Sequence, residues 1–404
     1  MSGRKPFGSK EESLASFGGD IADFEFELRG FEDRKKLDVT PEAPGRYVFT
    51  AEDLPDGQDP AELGRGGAGK VVFAFDNHLS RHVAVKQLLT TAGTLEDLEN
   101  PSNAALKISR FMREARITAQ LEHPNIVHVY ELGERSDGSL FYTMKLVRGR
   151  TLRNAIRDAK NMNERLALLP HFIAVCRALA YAHNRGVIHR DIKPKNVMVG
   201  EFSETVVLDW GLARVRGNED VSSPVSGASG SLTGSTSLGH AIGTPAYMSP
   251  EQAEGKLGEI DERSDVWSLG AVLYTLLTDT PPFDGESPHE IIGKVLTSAP
   301  VPIRTLARRA PRELVAIVEK AMATNRFHRY ANASELLDDV LRYQAGQSVS
   351  AAEYGFLAKL GRRLRGGLGS FLKAGTVAAV IAAVARSSRS SRSACQSQAT
   401  AATA

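Results

Sequence analysis

The alternation of apolar and polar residues predicts two adjacent strands near the start of the folded body. Residues 71–75 and 82–86 are β-rich runs that are separated by turn residues. One helix is predicted over residues 108–121, and Pro124 marks its end because proline cannot continue a helix. The first third of the body is therefore expected to be mainly strand.

Helical spacing of apolar residues dominates after residue 151. One helix is predicted over residues 166–184, where apolar side chains recur at nearly helical intervals. Another, over residues 265–277, is almost wholly apolar after its first turn, which is typical of a buried helix. The pattern predicts an α+β fold in which a small strand-rich lobe precedes a larger helical lobe.

Composition divides the chain into three parts. Residues 1–45 are polar and irregular, and we expect an N-terminal extension with little structure of its own. The body spans residues 46–345, with one lobe at about 46–147 and the other at about 148–345. Residues 346–404 are predicted to form a basic, partly disordered tail.

The overall composition is that of an ordinary soluble protein. Of the 404 residues, 42% are hydrophobic and 24% are charged. Two cysteines, Cys176 and Cys395, are too few for a disulfide framework or a four-thiolate zinc site. No continuous apolar segment in residues 1–30 indicates a secretory signal. These features predict a protein of the reducing cytoplasm.

The net charge of +2 conceals a basic tail. Residues 354–404 hold eight Lys and Arg and no Asp or Glu, so the rest of the chain has 42 basic and 48 acidic residues. Such a tail is expected to meet an anionic partner. Its apolar run, residues 374–385, is short for a membrane span, which needs about 20 residues. A span, anionic membrane contact through residues 354–385 and a soluble tail all stay open. No nucleic-acid partner is expected, because aromatic platforms are not interleaved with these charges.

Three glycines form a candidate phosphate-binding loop. Gly64, Gly66 and Gly69 fit the spacing G-x-G-x-x-G-x-V that ends at Val71. Glycine lets backbone N–H groups approach phosphate oxygens closely. Alone, this spacing also suits an ordinary hairpin turn. Here β-rich runs flank it, and Lys86 ends the second run, as in a strand that carries a phosphate-binding lysine.

Lys86 requires a carboxylate that holds its ammonium group in place. Glu114, in the helix predicted over residues 108–121, is the candidate. The alternative is a surface pair of Glu114 with Arg113 or Arg116, which is worth only ~0.3–0.5 kcal/mol on a helix. The surrounding motifs favour the pair of Lys86 with Glu114.

The densest chemistry lies in residues 189–198 and shortly after them. Asp191 is predicted to accept the proton of a substrate hydroxyl, and Lys193 to neutralise a transferred phosphoryl group. Asn196 and Asp209 offer oxygens to Mg²⁺, a hard cation. Each residue alone would be an ordinary turn residue. Their order and spacing predict phosphoryl transfer.

A regulatory switch is predicted in the loop of residues 212–242. Arg190, beside the catalytic aspartate, can bind a phosphate bidentately. Phosphorylation would dock the loop onto Arg190 and organise the site. Alternatively, these hydroxyl residues belong to a solvated linker. The candidate acceptors are Thr233, Ser235, Thr236 and Ser237.

Together these motifs resemble the eukaryotic-like (Hanks-type) bacterial serine/threonine protein kinases. The resemblance covers residues 46–345 and includes G-T-P-A-Y-M-S-P-E at 243–251 and D-V-W-S-L-G at 265–270. It implies the bilobal protein-kinase fold, with ATP in the cleft, Mg²⁺ or Mn²⁺ as the metal, and protein substrates phosphorylated on Ser or Thr. Autophosphorylation of the loop would suit a transient homodimer.

The resemblance implies roles for further residues. Thr244 would contact Lys193 and the catalytic Asp191, as in serine/threonine kinases. Glu251 would pair with Arg329 inside the helical lobe, and Asp265 would brace the catalytic loop. The nucleotide would be bound by Leu63, Val71, Ala84, Met144, Leu146, Val147 and Met198.

Three residues depart from the family pattern. Trp210 stands where phenylalanine is usual, and Thr118 stands where a larger apolar residue is common. These positions touch in the active arrangement, so a large indole against a small threonine would conserve the packed volume. Lys145 stands where the segment that links the lobes often carries an acidic residue. We expect little effect, because only its backbone needs to reach adenine.

Two rival interpretations belong to other functional classes. One is a catalytically weak pseudokinase scaffold, although every group that the reaction needs is present. The other is a small-molecule kinase. Residues 243–251 argue against it, because that segment builds a platform for an extended peptide.

Fractionation of cells tests the predicted cytoplasmic location. We expect the full chain in the soluble pool, and a variant that lacks residues 354–404 is the comparison. A soluble pool that is unchanged by the deletion contradicts both membrane interpretations. Recovery of the full chain with membranes, together with recovery of the shortened variant in the soluble pool, supports them.

Overall fold

The computed structural model describes residues 39–49, 62–65, 69–88, 101–216 and 243–352. The predicted loop of residues 212–242 therefore lies almost wholly outside the described residues, and so does the tail from residue 353 onward. Within the described part, a strand-rich lobe precedes a helical lobe, and the predicted α+β class is confirmed.

A seven-stranded sheet forms the first lobe. Along the sheet the strands follow the order β1-β6-β7-β5-β4-β2, and β3 also pairs with β4. The pair of β1 and β6 is parallel, whereas the other pairs are antiparallel. The strands are β1 Thr40–Pro41, β2 Tyr47–Val48, β3 Glu62–Arg65, β4 Gly69–Asp76, β5 Arg81–Leu88, β6 Val129–Glu134 and β7 Leu140–Lys145.

The two strands expected from the apolar alternation are confirmed as β4 and β5. In β5, Val83 and Val85 face one apolar cluster, while Ala84 and Leu88 face the other. This is the two-residue period of a strand that is covered on both faces. Lys86 lies between these buried residues, directly opposite Tyr142 of β7.

Helix α1, Pro101–Gln120, covers one face of this sheet. It begins earlier than the predicted residue 108, because a proline is tolerated in the first turn, where the N–H has no helical partner. Phe111, Met112 and Ala115 of α1 are buried against the sheet. Glu114 therefore points from the same side of the helix toward the strands.

The second lobe is mainly helical. It also contains a three-stranded sheet, in the order β11-β10-β8, and the pair of β9 with β12. These strands are β8 Gly149–Thr151, β9 Val187–Ile188, β10 Val197–Gly200, β11 Thr205–Val207 and β12 Arg214–Val215. The helices are α2 Leu152–Asp158, α3 Met162–Leu166, α4 Leu169–Asn184, α5 Pro250–Ala253, α6 Glu262–Thr278, α7 Pro288–Thr297, α8 Ile303–Leu306, α9 Arg312–Ala321 and α10 Ala333–Gln344.

The helix expected over residues 166–184 is confirmed as α4, which begins at Leu169, after the short helix α3. Pro170 lies in the first turn of α4, where a proline can start a helix but cannot continue one from before. Residues Met162–Asn184 form the one described helical stretch long and apolar enough to cross a membrane by length and composition. Half of this stretch is buried, and α4 packs against α6 and α10, so it is a core segment of this lobe.

Helix α6 is the buried helix that the apolar run predicted. Asp261 caps its first turn through the Arg263 amide, and Asp279 ends it in the left-handed conformation, with φ of 63°. All residues of α6 except Arg263 are buried. The helix therefore forms the axis of the helical lobe.

The described residues extend the body at both ends. Thr40 of β1 pairs with Gly133, so the boundary expected at residue 45 falls between two strands of one sheet. Near the other end, Val349 is buried, and the Ser350 amide donates to Asp339 at 2.7 Å. The three-part division of the chain stays a prediction.

A buried ion pair joins α5 to the segment before α10. Arg329 Nη1 lies 2.7 Å from Glu251 Oε1, and Nη2 lies 3.0 Å from Oε2. Ser264 of α6 donates to the same carboxylate at 2.7 Å, and the guanidinium lies over the Trp267 ring. This bidentate geometry satisfies both buried charges.

We expect Arg329→Met to lower the free energy of unfolding by about 3–5 kcal/mol, because it leaves the Glu251 carboxylate buried without its partner. Urea denaturation at pH 7 measures this loss. The matched control is Lys294→Ala, which removes an exposed pair with Glu290 and should cost less than about 1 kcal/mol. Equal losses in the two variants would contradict the assignment.

The difference in the free energy of unfolding between the wild type and Arg329→Met should narrow as the pH falls. Burial alone would raise the pKa of Glu251, but hydrogen bonds from Arg329 hold it below its ordinary value of 4.5. A lowered pKa stabilises the folded state above the unfolded value, and this stabilisation is lost as the pH falls through the folded value. In Arg329→Met, protonation of Glu251 at low pH instead removes the buried unpaired charge, so the destabilisation of this variant becomes smaller.

Candidate active site

The first cluster of site residues lies between the sheet and α1. The Lys86 ammonium contacts Glu114 Oε1 and lies 3.4 Å from Asp209 Oδ1. Burial alone would lower the pKa of Lys86, but the two carboxylates outweigh it and raise the pKa above its ordinary value. The ammonium therefore stays charged and is held between the two carboxylates.

Glu114 is almost fully buried, and burial raises the pKa of its carboxyl. Lys86 and the Tyr142 hydroxyl oppose this shift, because both donate to Oε1 and favour the ionised form. A Cβ on Gly211 would lie 3.0 Å from Glu114 Oε2, a tight contact, so a side chain there would press on the carboxylate.

The Asp209 carboxylate is partly exposed and contacts Lys86. Its backbone has a left-handed φ of 58°, which is rare outside glycine and occurs at functional sites. Burial alone would raise the pKa of Asp209, but Lys86, His189 and Lys193 lower it. The neighbouring Trp210 is buried, with its ring centroid 4.5 Å from that of His189.

The second cluster surrounds Asp191. Lys193 Nζ lies 2.5 Å from Asp191 Oδ2 and 2.6 Å from Thr244 Oγ1. The Thr244 amide donates to Asp191 Oδ1 at 2.8 Å. Asn196 Nδ2 donates to the Asp191 carbonyl at 3.0 Å. Both carboxylate oxygens therefore have donors that fix their direction.

Asp265, at the start of α6, holds the backbone that precedes Asp191. Its carboxylate accepts hydrogen bonds from the amides of His189 and Arg190, both at 2.8 Å. His183 of α4 contacts it at 3.0 Å. Burial alone would raise the pKa of Asp265, but these hydrogen bonds lower it. The bonds also hold Arg190 in the left-handed region, with φ of 69°.

Most of the expected nucleotide-binding residues share one apolar cluster. Those residues are Val71, Ala84, Met144, Leu146 and Val147. Met198 lies across from Thr151 in the pair of β10 and β8.

The expected phosphate-binding loop is described at both ends. Leu63 is exposed, and Gly64 pairs with Val71. A Cβ on Gly69 would lie 2.4 Å from the Gln87 carbonyl oxygen, so this position requires glycine. Gly66 lies outside the described residues, as do Thr233, Ser235, Thr236 and Ser237.

The oxygens of Asn196 and Asp209 suit a magnesium ion that also binds phosphates. The described residues contain no group of three or more His, Cys, Asp or Glu that could hold a metal. Magnesium commonly takes only one or two protein carboxylates and completes its shell with phosphate oxygens and water. Because Asn196 Nδ2 is engaged with the Asp191 carbonyl, its Oδ1 remains as the ligand atom.

Sequence reasoning missed three residues that support this site. Tyr142 binds Glu114, His183 binds Asp265, and Gln252 Nε2 donates to the Arg190 carbonyl at 2.7 Å. Each acts on a residue that is distant in sequence. Tyr142 could have been placed opposite Lys86 only if the pairing of β5 with β7 had been predicted. No local pattern in the sequence indicated His183 or Gln252.

Comparison with known proteins identifies the family. Residues 58–354 match the protein kinase domain. The chain belongs to the protein kinase family. The expected kinase fold and the resemblance to bacterial serine/threonine kinases are both confirmed.

Named relatives of this kinase domain come from bacteria. Serine/threonine-protein kinase PknD of Protochlamydia amoebophila is 35% identical over 308 residues, which are 71% of this chain and 30% of that protein. PknB of Mycolicibacterium smegmatis is 38% identical over 309 residues, 75% of this chain and 45% of that protein. PknB of Mycobacterium leprae is 38% identical over 313 residues, with shares of 76% and 46%. The chain spans less than half the length of these relatives.

We expect Thr118→Leu to lower phosphoryl-transfer activity several-fold. Thr118 is 3% exposed, and its hydroxyl donates to the Glu114 carbonyl at 2.7 Å, so the added volume of leucine must displace buried neighbours. Overpacking of a core costs about 1–3 kcal/mol. Contact between Thr118 and Trp210 stays a prediction.

Steady-state kinetics on a peptide substrate measures this effect. Thr118→Val, which keeps the volume and removes the hydroxyl, is the control and should be affected less. Full activity of Thr118→Leu would contradict the packing argument.

Proposed function

We propose that this chain is a serine/threonine protein kinase that transfers the γ-phosphoryl group of Mg–ATP to Ser or Thr of protein substrates in signal transduction. The observation that carries the proposal is the arrangement around Asp191. A buried carboxylate is held by Lys193 and the Thr244 amide at the mouth of the cleft. Catalysis of phosphoryl transfer consists mainly of positioning and charge neutralisation, which this arrangement supplies.

Asp191 takes the role of base. A substrate hydroxyl attacks the γ-phosphorus, the bond from that phosphorus to the β,γ-bridging oxygen breaks, and the hydroxyl proton passes to Asp191. Lys193, 2.5 Å from the carboxylate, offers its ammonium group to the negative charge that spreads over the transferred phosphoryl oxygens. Its contact with Thr244 orients the ammonium toward the reacting groups.

Lys86 takes the role of phosphate ligand in the strand-rich lobe. Its charge is maintained by Glu114 and Asp209. At one end of the expected phosphate-binding loop, no atom lies within 4 Å of a Cβ built on Gly64, so space is open there. Asn196 and Asp209 would hold Mg²⁺, which when bound neutralises triphosphate charge. Mn²⁺ is an acceptable substitute, because it also accepts carboxylate and carbonyl oxygen ligands.

A protein substrate fits the segment that follows Gly243. Residues Pro245–Tyr247 form a single 3-10 turn, and the next helix, α5, begins with a capping box of Ser249 and Gln252. Gln252 also binds the Arg190 carbonyl, so the segment is fixed to the catalytic loop. A rigid surface segment of this kind suits the binding of an extended peptide better than that of a small molecule.

Regulation and location follow from the same proposal. Autophosphorylation within residues 212–242 would place a phosphate for Arg190 to bind, in a transient homodimer. The protein would act in the cytoplasm, and the basic residues of 354–385 would allow contact with an anionic membrane surface.

We expect Asp191→Asn to reduce phosphoryl transfer at least about a hundredfold, since an amide cannot accept the hydroxyl proton. Incorporation of labelled phosphate from Mg–ATP into a protein substrate, and into the chain itself, measures this. Nucleotide binding by the variant, followed by fluorescence, should stay within about threefold of the wild type. Binding without any incorporation by the wild type would instead support a pseudokinase scaffold.

A further inference from the structure

Tyr142 lies at the centre of the first cluster, although the reaction does not require a hydroxyl there. Its side chain is 3% exposed, and its hydroxyl donates to Glu114 Oε1 at 2.7 Å. The same oxygen contacts the Lys86 ammonium. One carboxylate oxygen therefore receives donors from two neighbouring strands, β5 and β7.

We propose that Tyr142 is a positioning residue, which holds Glu114 and helix α1 in the place from which Glu114 orients Lys86. The inference rests on the proposed kinase activity, because it assigns a purpose to the geometry of Lys86. The hydrogen bond of Tyr142 attaches Glu114 of α1 to the sheet a second time, in addition to the ion pair of Lys86 with Glu114.

The register of the sheet makes this attachment specific. Lys86 and Tyr142 are direct cross-strand partners, so their side chains leave the sheet on the same face, toward α1. The Tyr142 ring also lies 5.2 Å from the ring of Phe111, which precedes Glu114 by about one helical turn. Tyr142 thus contacts α1 through its ring and through its hydroxyl.

The remaining carboxylate oxygen, Oε2 of Glu114, lies close to Gly211. A Cβ on Gly211 would approach Glu114 Oε2 to 3.0 Å. The Glu114 carboxylate is therefore confined by Lys86, Tyr142 and the backbone after Asp209. The donor from Tyr142 belongs to the sheet and does not depend on a nucleotide.

Lys86 has partners other than Glu114, whereas the Tyr142 hydroxyl is proposed to bind Glu114 throughout the reaction. The ammonium is shared with Asp209 at 3.4 Å, and in the proposed reaction it also faces phosphate oxygens. A lysine that turns toward the nucleotide weakens its contact with Glu114. The phenol remains on the carboxylate, and hydrogen bonds to a charged acceptor are among the stronger ones in proteins. Tyr142 would thus keep α1 in place throughout the reaction.

Tyr142→Phe removes the hydroxyl and leaves the ring packed on Phe111. We expect kcat to fall about tenfold, the scale of one hydrogen bond to a charged group, while KM for ATP changes less than about twofold. The matched control is Tyr47→Phe. Tyr47 is a buried tyrosine of the same sheet that packs in the other apolar cluster. Its variant should keep the wild-type kcat.

A double-mutant cycle separates positioning from simple stabilisation. If Tyr142 acts through Glu114, then Tyr142→Phe should not lower kcat further in a Glu114→Ala background. A full tenfold loss in that background would overturn the proposal. So would a lower melting temperature of Tyr142→Phe together with an unchanged kcat, because that is the signature of a merely structural residue.

Hydrogen exchange supplies a readout that needs no activity. In nucleotide-free full-length protein, Tyr142→Phe should speed amide exchange in residues 107–120 several-fold, and Tyr47→Phe should not. The comparison can be made in the Asp191→Asn background. It therefore tests the attachment of α1 even if the wild type fails to transfer phosphate. Unchanged exchange in residues 107–120 would overturn the inference.

Discussion

The arrangement of the catalytic loop depends on one buried carboxylate, that of Asp265. Its side chain is fully buried, and a buried charge is tolerated only when hydrogen bonds replace the lost water. The amides of His189 and Arg190 and the ring of His183 provide those bonds. They fix a strained backbone turn whose next residue is Asp191. The position of Asp191, the proposed base, is thus set by a helix in the centre of the lobe.

A second buried carboxylate has the same purpose in the other lobe. Glu114 binds Lys86 and Tyr142, and so joins a helix to two strands of the sheet. The two halves of the site differ in how they are held. Asp265 lies in the most buried helix of the described structure and restrains backbone, whereas Glu114 lies in a single helix across a sheet and restrains side chains. Movement of α1 would therefore disturb Lys86 while leaving Asp191 in place.

Much of the fold was predictable from local patterns. The period-two runs of β4 and β5 and the apolar run of α6 correspond to observed elements, because each buries a face that its own residues define. The helix predicted over residues 166–184 is observed as α4, which begins only at Leu169, because apolar spacing continues through the turn before it and does not report where the helix starts. The short strands β1 and β2 were not foreseen, because two residues carry no period.

The sequence by itself determined which chemistry to expect. The order and spacing of Lys86, Asp191, Asn196 and Asp209 predicted phosphoryl transfer, because few other reactions need those groups together. Tertiary structure alone decided what holds them. Tyr142 and Glu114 are 28 residues apart, Gln252 and Arg190 are 62 apart, and His183 and Asp265 are 82 apart. Hydrogen bonds over such separations arise from the packing of whole elements, which no local pattern of residues records.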